Sequence, residues 1–329
     1  IEDVGGDPSS GAGYFSIADN GTITWLAGAV TAADALLTIV DNSGEVERLP
    51  LTPRGFHQPR FSPDGKRIAF TVGEGYSGVA GDVWIYTLAS RSLSRLTFGG
   101  NQLYPLWMPG GRRIAYLSYS SDAAVFVKAA DGSGAAERLT PDDGSALFPE
   151  SATPDGRTVA YTRVGQTSDI YLVTHGDEPR LFERRASCPS VSPDGRWLAY
   201  GSPGSGTASV YVRPLEGEGK WQVSPGLGNY PRWSGDGRRL FYIDIGSAKR
   251  PLMVVDVIAG DGIFKTGPPR VVLDNIGSGY VTSTAPALNY DVAPSGERFV
   301  FVEFERRAQA AAQVEVALNW AQHLELEAK

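Results

Sequence analysis

This chain has little that could crosslink it, bind a transition metal or cross a bilayer. Cys188 is the only cysteine among 329 residues, which excludes an internal disulfide framework and leaves the redox compartment open. Three histidines occur. His175 stands beside Gly176-Asp177 in an expected turn and His323 lies near the end, so His57 alone remains for chemistry, short of the three protein ligands a zinc site usually needs. No Gly-x-Ser-x-Gly elbow is present; Gly75-Tyr76-Ser77-Gly78-Val79 fails at its last position. The formal charge of −7 comes without any basic stripe, which argues against a nucleic-acid partner. No apolar run approaches the length of a membrane-spanning helix. Linker-like and low-complexity stretches are missing too, so residues 1–329 are read as one domain with a short helical tail over 319–329. Position 1 is Ile and no charged-then-apolar leader precedes it, which leads us to expect a processed product or a piece of a longer chain.

What the chain does have is turns, with 40 glycines and 22 prolines. A strand, a tight Gly turn and a second strand recur around Gly21, Gly65, Gly111, Gly156, Gly195, Gly237 and Gly296. Phe61-Ser62-Pro63-Asp64-Gly65 and Val191-Ser192-Pro193-Asp194-Gly195 are the clearest copies. Proline presets φ, aspartate bonds nearby backbone groups, and glycine accepts positive φ. Spacings of about 40–60 residues suit one four-stranded unit per copy. After each turn come apolar runs such as Ile68-Ala69-Phe70 and Leu198-Ala199-Tyr200, then a third strand such as Val83-Trp84-Ile85-Tyr86, and often an Arg-Leu strand such as Arg95-Leu96. Runs that are apolar at successive positions fit sheets covered on both faces.

The expected fold is therefore all-β: a seven-bladed β-propeller of four-stranded antiparallel blades, with six or eight blades as alternatives. The last copy supplies three strands, Tyr290-Asp291-Val292, Phe299-Val300-Phe301 and Val314–Leu318. Ile1-Glu2-Asp3-Val4-Gly5 resembles Leu273-Asp274-Asn275-Ile276-Gly277, so the N-terminal strand is expected to close the last blade and cover its edge. Gly262–Pro269 and Gly277–Ala287 read as long surface loops.

The Phe/Trp-Ser-Pro-Asp-Gly copies resemble the TolB-like, WD-repeat-like propeller repeat over nearly the whole chain. Phe15–Thr22, Val212-Arg213-Pro214, Asn289-Tyr290-Asp291-Val292 and Leu318-Asn319-Trp320 are also similar to bacterial propellers fused behind serine/threonine kinase domains. The resemblance implies an extracytoplasmic or periplasmic sensing or docking module, and it carries no catalytic residues over.

In a propeller the leading ends of the innermost strands surround one mouth of the central channel, opposite the Pro-Asp-Gly turns. Tyr14, His57, Gln58, Asn101, Tyr104, Phe148, Glu150, Asn229, Tyr230, Asn289 and Tyr290 stand there and are the expected ligand-binding residues. Tyr, Asn and Gln suit hydrogen bonding and stacking to a peptide, protein or glycan. For each aromatic, packing between blades competes with that role. His57, Glu150 and Cys188 are the only catalytic candidates, Cys188 as a thiol paired with His57, against the simpler reading of a buried core thiol. No cofactor is expected, although Glu150 and Asp122 could help form a channel Ca²⁺ site. The leading expectation is a non-catalytic binding propeller. The alternatives are a metal-assisted hydrolase, lactonase or lyase using the channel, and a scaffold in a kinase chain.

Overall fold

Each Pro-Asp-Gly segment folds back on itself through local hydrogen bonds. At Gly65, the Ser62 hydroxyl donates to Asp64 Oδ1 and accepts from the Arg67 amide at 2.9 Å, while the Lys66 amide donates to Asp64 at 3.1 Å. The same hydroxyl-to-carboxylate bond recurs from Thr153 to Asp155, Ser192 to Asp194 and Ser234 to Asp236. Sequence thus specifies the hairpin, and hairpins then assemble into sheets.

A computed structural model describes every residue except 1–5, 8–11, 14, 19–21, 28–34, 75–79, 120–122, 142–144, 204–207, 261–262, 277–288, 305–312 and 318–329. Among the described residues, six antiparallel blades form the ring. The first blade comprises Phe56–Phe61, Arg67–Glu74, Ala80–Thr87 and Ser92–Arg95. The second runs through Gln102–Trp107, Arg113–Ser118, Ala124–Ala129 and Glu137–Arg138. Ala146–Ala152, Thr158–Val164, Ser168–Thr174 and Arg180–Glu183 make the third. The fourth holds Ser187–Val191, Trp197–Ser202, Ser209–Pro214 and Trp221–Gln222. In the fifth, Gly228–Trp233 and Arg239–Asp244 lead to a long strand, Leu252–Gly260, which pairs with both Ile263–Thr266 and Arg270–Leu273. Residues 263–266 are therefore a strand and not part of a surface loop.

The sixth blade corrects two expectations. Its inner strands, Tyr290–Val292 and Arg298–Phe304, pair with each other; Arg298–Phe304 then pairs with Ala35–Asp41, and that with Val46–Arg48, both from the other end of the chain. The N-terminal part does close the last blade, with the two strands Ala35–Asp41 and Val46–Arg48; the expected latch over residues 1–5 lies outside the described residues. The ring has six blades and not seven because the first repeat joins no blade. Its strand Ile23–Ala27 pairs with both Phe15–Ile17 and Gln313–Ala317 in a separate three-stranded sheet, so 313–317 is not a strand of the last blade. Its turn at Gly21 and the expected helical tail lie outside the described residues. A turn motif encodes a hairpin; it does not encode which sheet the hairpin enters. Side-chain bonds reinforce the closure that does form. The Thr38 hydroxyl donates to Glu303 at 2.7 Å, and Arg48 donates to both Glu303 oxygens at 3.0 and 2.8 Å.

Packing follows from the two-sided apolar strands. Six buried clusters sit one at each blade interface. In Ala35–Asp41, Leu37 and Ile39 pack toward the first blade while Val40 packs toward the fifth. Each buried aliphatic side chain contributes roughly 1.5–3 kcal/mol.

Candidate channel site

The site is built from a proline in the middle of an inner strand. Pro59, Pro105, Pro149, Pro189 and Pro231 occupy equivalent places in the first five blades. Proline has no N–H to give to the ladder, so the strand must bulge there. Pairing shifts between His57 and Arg60, Leu103 and Leu106, Pro149 and Ser151, Ser187 and Ser190, and Asn229 and Arg232. Just before four of these prolines the backbone is left-handed: φ is 49° at Gln58, 56° at Tyr104, 59° at Cys188 and 61° at Tyr230. Positive φ at non-glycine residues costs free energy and is held in place by its surroundings. Here it turns the same position of four strands in the same way.

The structure sorts the expected mouth residues into two groups. Asn101, Asn229 and Tyr230 are partly exposed. His57, Gln58, Tyr104, Phe148, Glu150, Asn289 and Tyr290 are buried. Tyr104 and Phe148 stack on each other with ring centroids 4.4 Å apart, inside the interface of the second and third blades. The Tyr290 hydroxyl donates to the Tyr230 carbonyl at 2.5 Å, and the Gln58 amide donates to Asn289 Oδ1 at 3.1 Å. These aromatics therefore pack between blades. Tyr14 and Asp122 lie outside the described residues.

Glu150 and Cys188 do meet. Thr162 Oγ1 donates to Glu150 and accepts from the Cys188 amide at 3.1 Å. Burial pushes the Cys188 thiol well above its usual range, and the Glu150 charge pushes it further. That environment keeps the sulfur protonated and suits a core thiol better than a nucleophile. His57 enters from the first blade, across the ring from Cys188 in the fourth.

Three charged residues were not anticipated. Arg60 and Arg232, each next after its proline, and Asp291 are all buried around the channel. Blade six lies between blades one and five, so Asp291 reaches both arginines: Arg60 Nη1 is 3.6 Å and Arg232 Nε 3.3 Å from Asp291 Oδ1. Asp291 Oδ2 accepts the Phe61 amide at 2.9 Å. Burial lowers the Arg60 pKa to about 10, with the neighbouring Arg232 charge adding to the fall, while Asp291 and Glu150 oppose it. Burial raises the Glu150 pKa, against the Thr162 hydrogen bond and the two arginines. A cation beside Glu150 would face two guanidiniums, which disfavours the Ca²⁺ site that Glu150 could have helped form. The sequence signal for its arginines was a Pro-Arg pair in two inner strands, Pro59-Arg60 and Pro231-Arg232; nothing in the sequence tied them to Asp291.

Several known proteins resemble this chain. No family model matches it. A Tol-Pal system protein TolB from Francisella tularensis subsp. holarctica is 27% identical over 206 residues, covering 58% of this chain and 47% of the relative. Tricorn protease homolog 1 of Streptomyces coelicolor is 33% identical over 135 residues, 38% of this chain and 12% of the relative. The chain thus spans less than half the length of these curated relatives. Among solved structures, a putative TolB from Agrobacterium tumefaciens aligns with a TM-score of 0.63 at 18% identity, covering 83% of this chain and 98% of that one. TolB from Acinetobacter baumannii aligns at 0.52 and 15% identity, covering 88% of this chain and 66% of that one. With the blade repeat and the closed ring beside these likenesses, the chain is a TolB-like β-propeller.

Proposed function

We propose that this propeller is a non-catalytic binding module that docks a protein at the channel mouth, as part of a Tol-Pal-type system outside the cytoplasm. The observation that carries the reading is the shared left-handed geometry before Pro59, Pro105, Pro189 and Pro231. Strained backbone repeated around the channel fixes the inner strands before a partner arrives, which lowers the ordering cost of binding. Tyr230, half-buried and flanked by Asn229, supplies an amphipathic anchor of the kind that dominates interfaces. The Tol-Pal names of the relatives support a partner from that system. The sensing role and attachment to a kinase rest on the resemblance alone, and a glycan ligand on the hydrogen-bonding and stacking side chains expected at the mouth.

The test is titration calorimetry of the purified chain with the soluble domain of the Pal-type lipoprotein encoded in the same genome. Binding weakened tenfold or more by Tyr230→Ala, with the melting temperature nearly unchanged, supports mouth docking. Absence of heat, or equal affinity in the variant, overturns it. Turnover of an ester or lactone panel would overturn the non-catalytic reading.

A further inference from the structure

We propose that the channel carries a carboxylate-binding site between Arg60 and Arg232. The argument is an excess of donors. Two guanidiniums offer ten N–H groups between them. Asp291 presents one oxygen to both, at 3.6 and 3.3 Å, and its other oxygen is committed to the Phe61 amide. The Arg232 Nε contact to Asp291 lacks hydrogen-bond geometry, and Arg232 Nη2 has no partner among the described residues; Nη1 turns back to the Pro231 carbonyl at 3.0 Å. The Gln58 side-chain amide, two residues before Arg60, is buried with neither its nitrogen nor its oxygen satisfied. Buried donors of this kind are costly unless an acceptor meets them.

Charge selects the acceptor. Within the Arg60–Asp291–Arg232 cluster the formal charges sum to +1. A monoanion balances that charge, whereas a phosphate dianion overshoots it. A carboxylate is planar and matches a guanidinium in bidentate fashion. The carboxylate could come from a free small acid or from a polypeptide entering the channel. The site shares the channel of the proposed docking module and rests on that reading only for the polypeptide source; acetate needs no partner, so its binding stands or falls separately from mouth docking.

Acetate should raise the melting temperature of the purified chain in a saturable way, while chloride at equal ionic strength should not. Arg232→Gln and Arg60→Gln should abolish the effect. Should those variants fold poorly, Asp291→Asn keeps an acceptor for the Phe61 amide, removes the competing charge and should tighten acetate binding about tenfold or more. A bromoacetate soak should place anomalous bromine density in the channel beside Arg232. Triglycine with a free C-terminus binding more tightly than its amide identifies a polypeptide source; acetate binding without that difference identifies a free small acid, and either supports the site. No acetate-specific shift, unchanged affinity in a folded Asp291→Asn, or bromine density only elsewhere would overturn it.

Discussion

Asp82 shows how much one buried side chain can organise. Its carboxylate accepts from the Thr97 hydroxyl at 2.9 Å, the Gly99 amide at 3.0 Å and the Gly100 amide, and Arg95 donates to it at 2.6 Å. Together these bonds fix the segment that leads into the second inner strand. Asp82→Ala leaves buried donors unmet and should cost about 3 kcal/mol in chemical denaturation. Cys188 should behave as a sealed thiol, resisting iodoacetamide in the native chain at pH 8 and reacting once unfolded. Its folded pKa lies above the unfolded value, so the unfolded state ionises first as pH rises. The thiol's stabilising contribution is complete below the unfolded pKa of about 8.5 and is lost above it, by up to about 1.4 kcal/mol per pH unit. Stability measured from pH 7 to 10 should fall more steeply in the native chain than in Cys188→Ala.

At the scale of the hairpin, the turns are packed parts and not only reversals. A Cβ built on Gly195 would meet Pro154 Cδ of the preceding blade's turn at 2.9 Å, and φ there is 73°. Gly195→Ala should therefore cost about 2 kcal/mol, read as a lower denaturation midpoint. The Ser62, Thr153 and Ser234 hydroxyls hold the carboxyls of Asp64, Asp155 and Asp236 below their ordinary pKa. Depressed carboxyls stabilise above their unfolded pKa of about 3.9, and that stabilisation is lost as pH falls through the folded value. Replacing the three hydroxyl residues with Ala should flatten the acid limb of a stability profile between pH 6 and 2. These hairpins were legible in sequence because their chemistry is local: each hydroxyl, carboxylate and glycine lies within a few residues. Counting back from the turns leads to the inner-strand residues beside the prolines, though not to which of them are buried. The Arg60–Asp291–Arg232 cluster could not be found that way, because its members are joined by ring closure and not by spacing. The same limit hid the fate of the first repeat, whose turn looks like the others while its strands pair elsewhere.

For the whole molecule, closure by two strands from each end determines stability. Removing residues 1–48 would strip Ala35–Asp41 and Val46–Arg48 from the last blade and expose Val300 and Val302, which are fully buried against the first blade. That truncated chain should melt well below the parent and bind a hydrophobic dye, as calorimetry and fluorescence would report. The register of blade six has a further consequence, in time as well as space. Thr38 meets Glu303 across 265 residues of sequence. At about 5–20 residues per second on the ribosome, Ala35–Asp41 emerges tens of seconds before its partner strand exists. During that interval Ala35–Asp41 can pair only with Val46–Arg48, so Leu37, Ile39 and Val40 have no blade to pack in and one strand edge stays open until synthesis passes Phe304. Ring completion then waits for Arg298–Phe304 to be made, and a holdase that shields this strand would act on the growing chain rather than on the finished propeller.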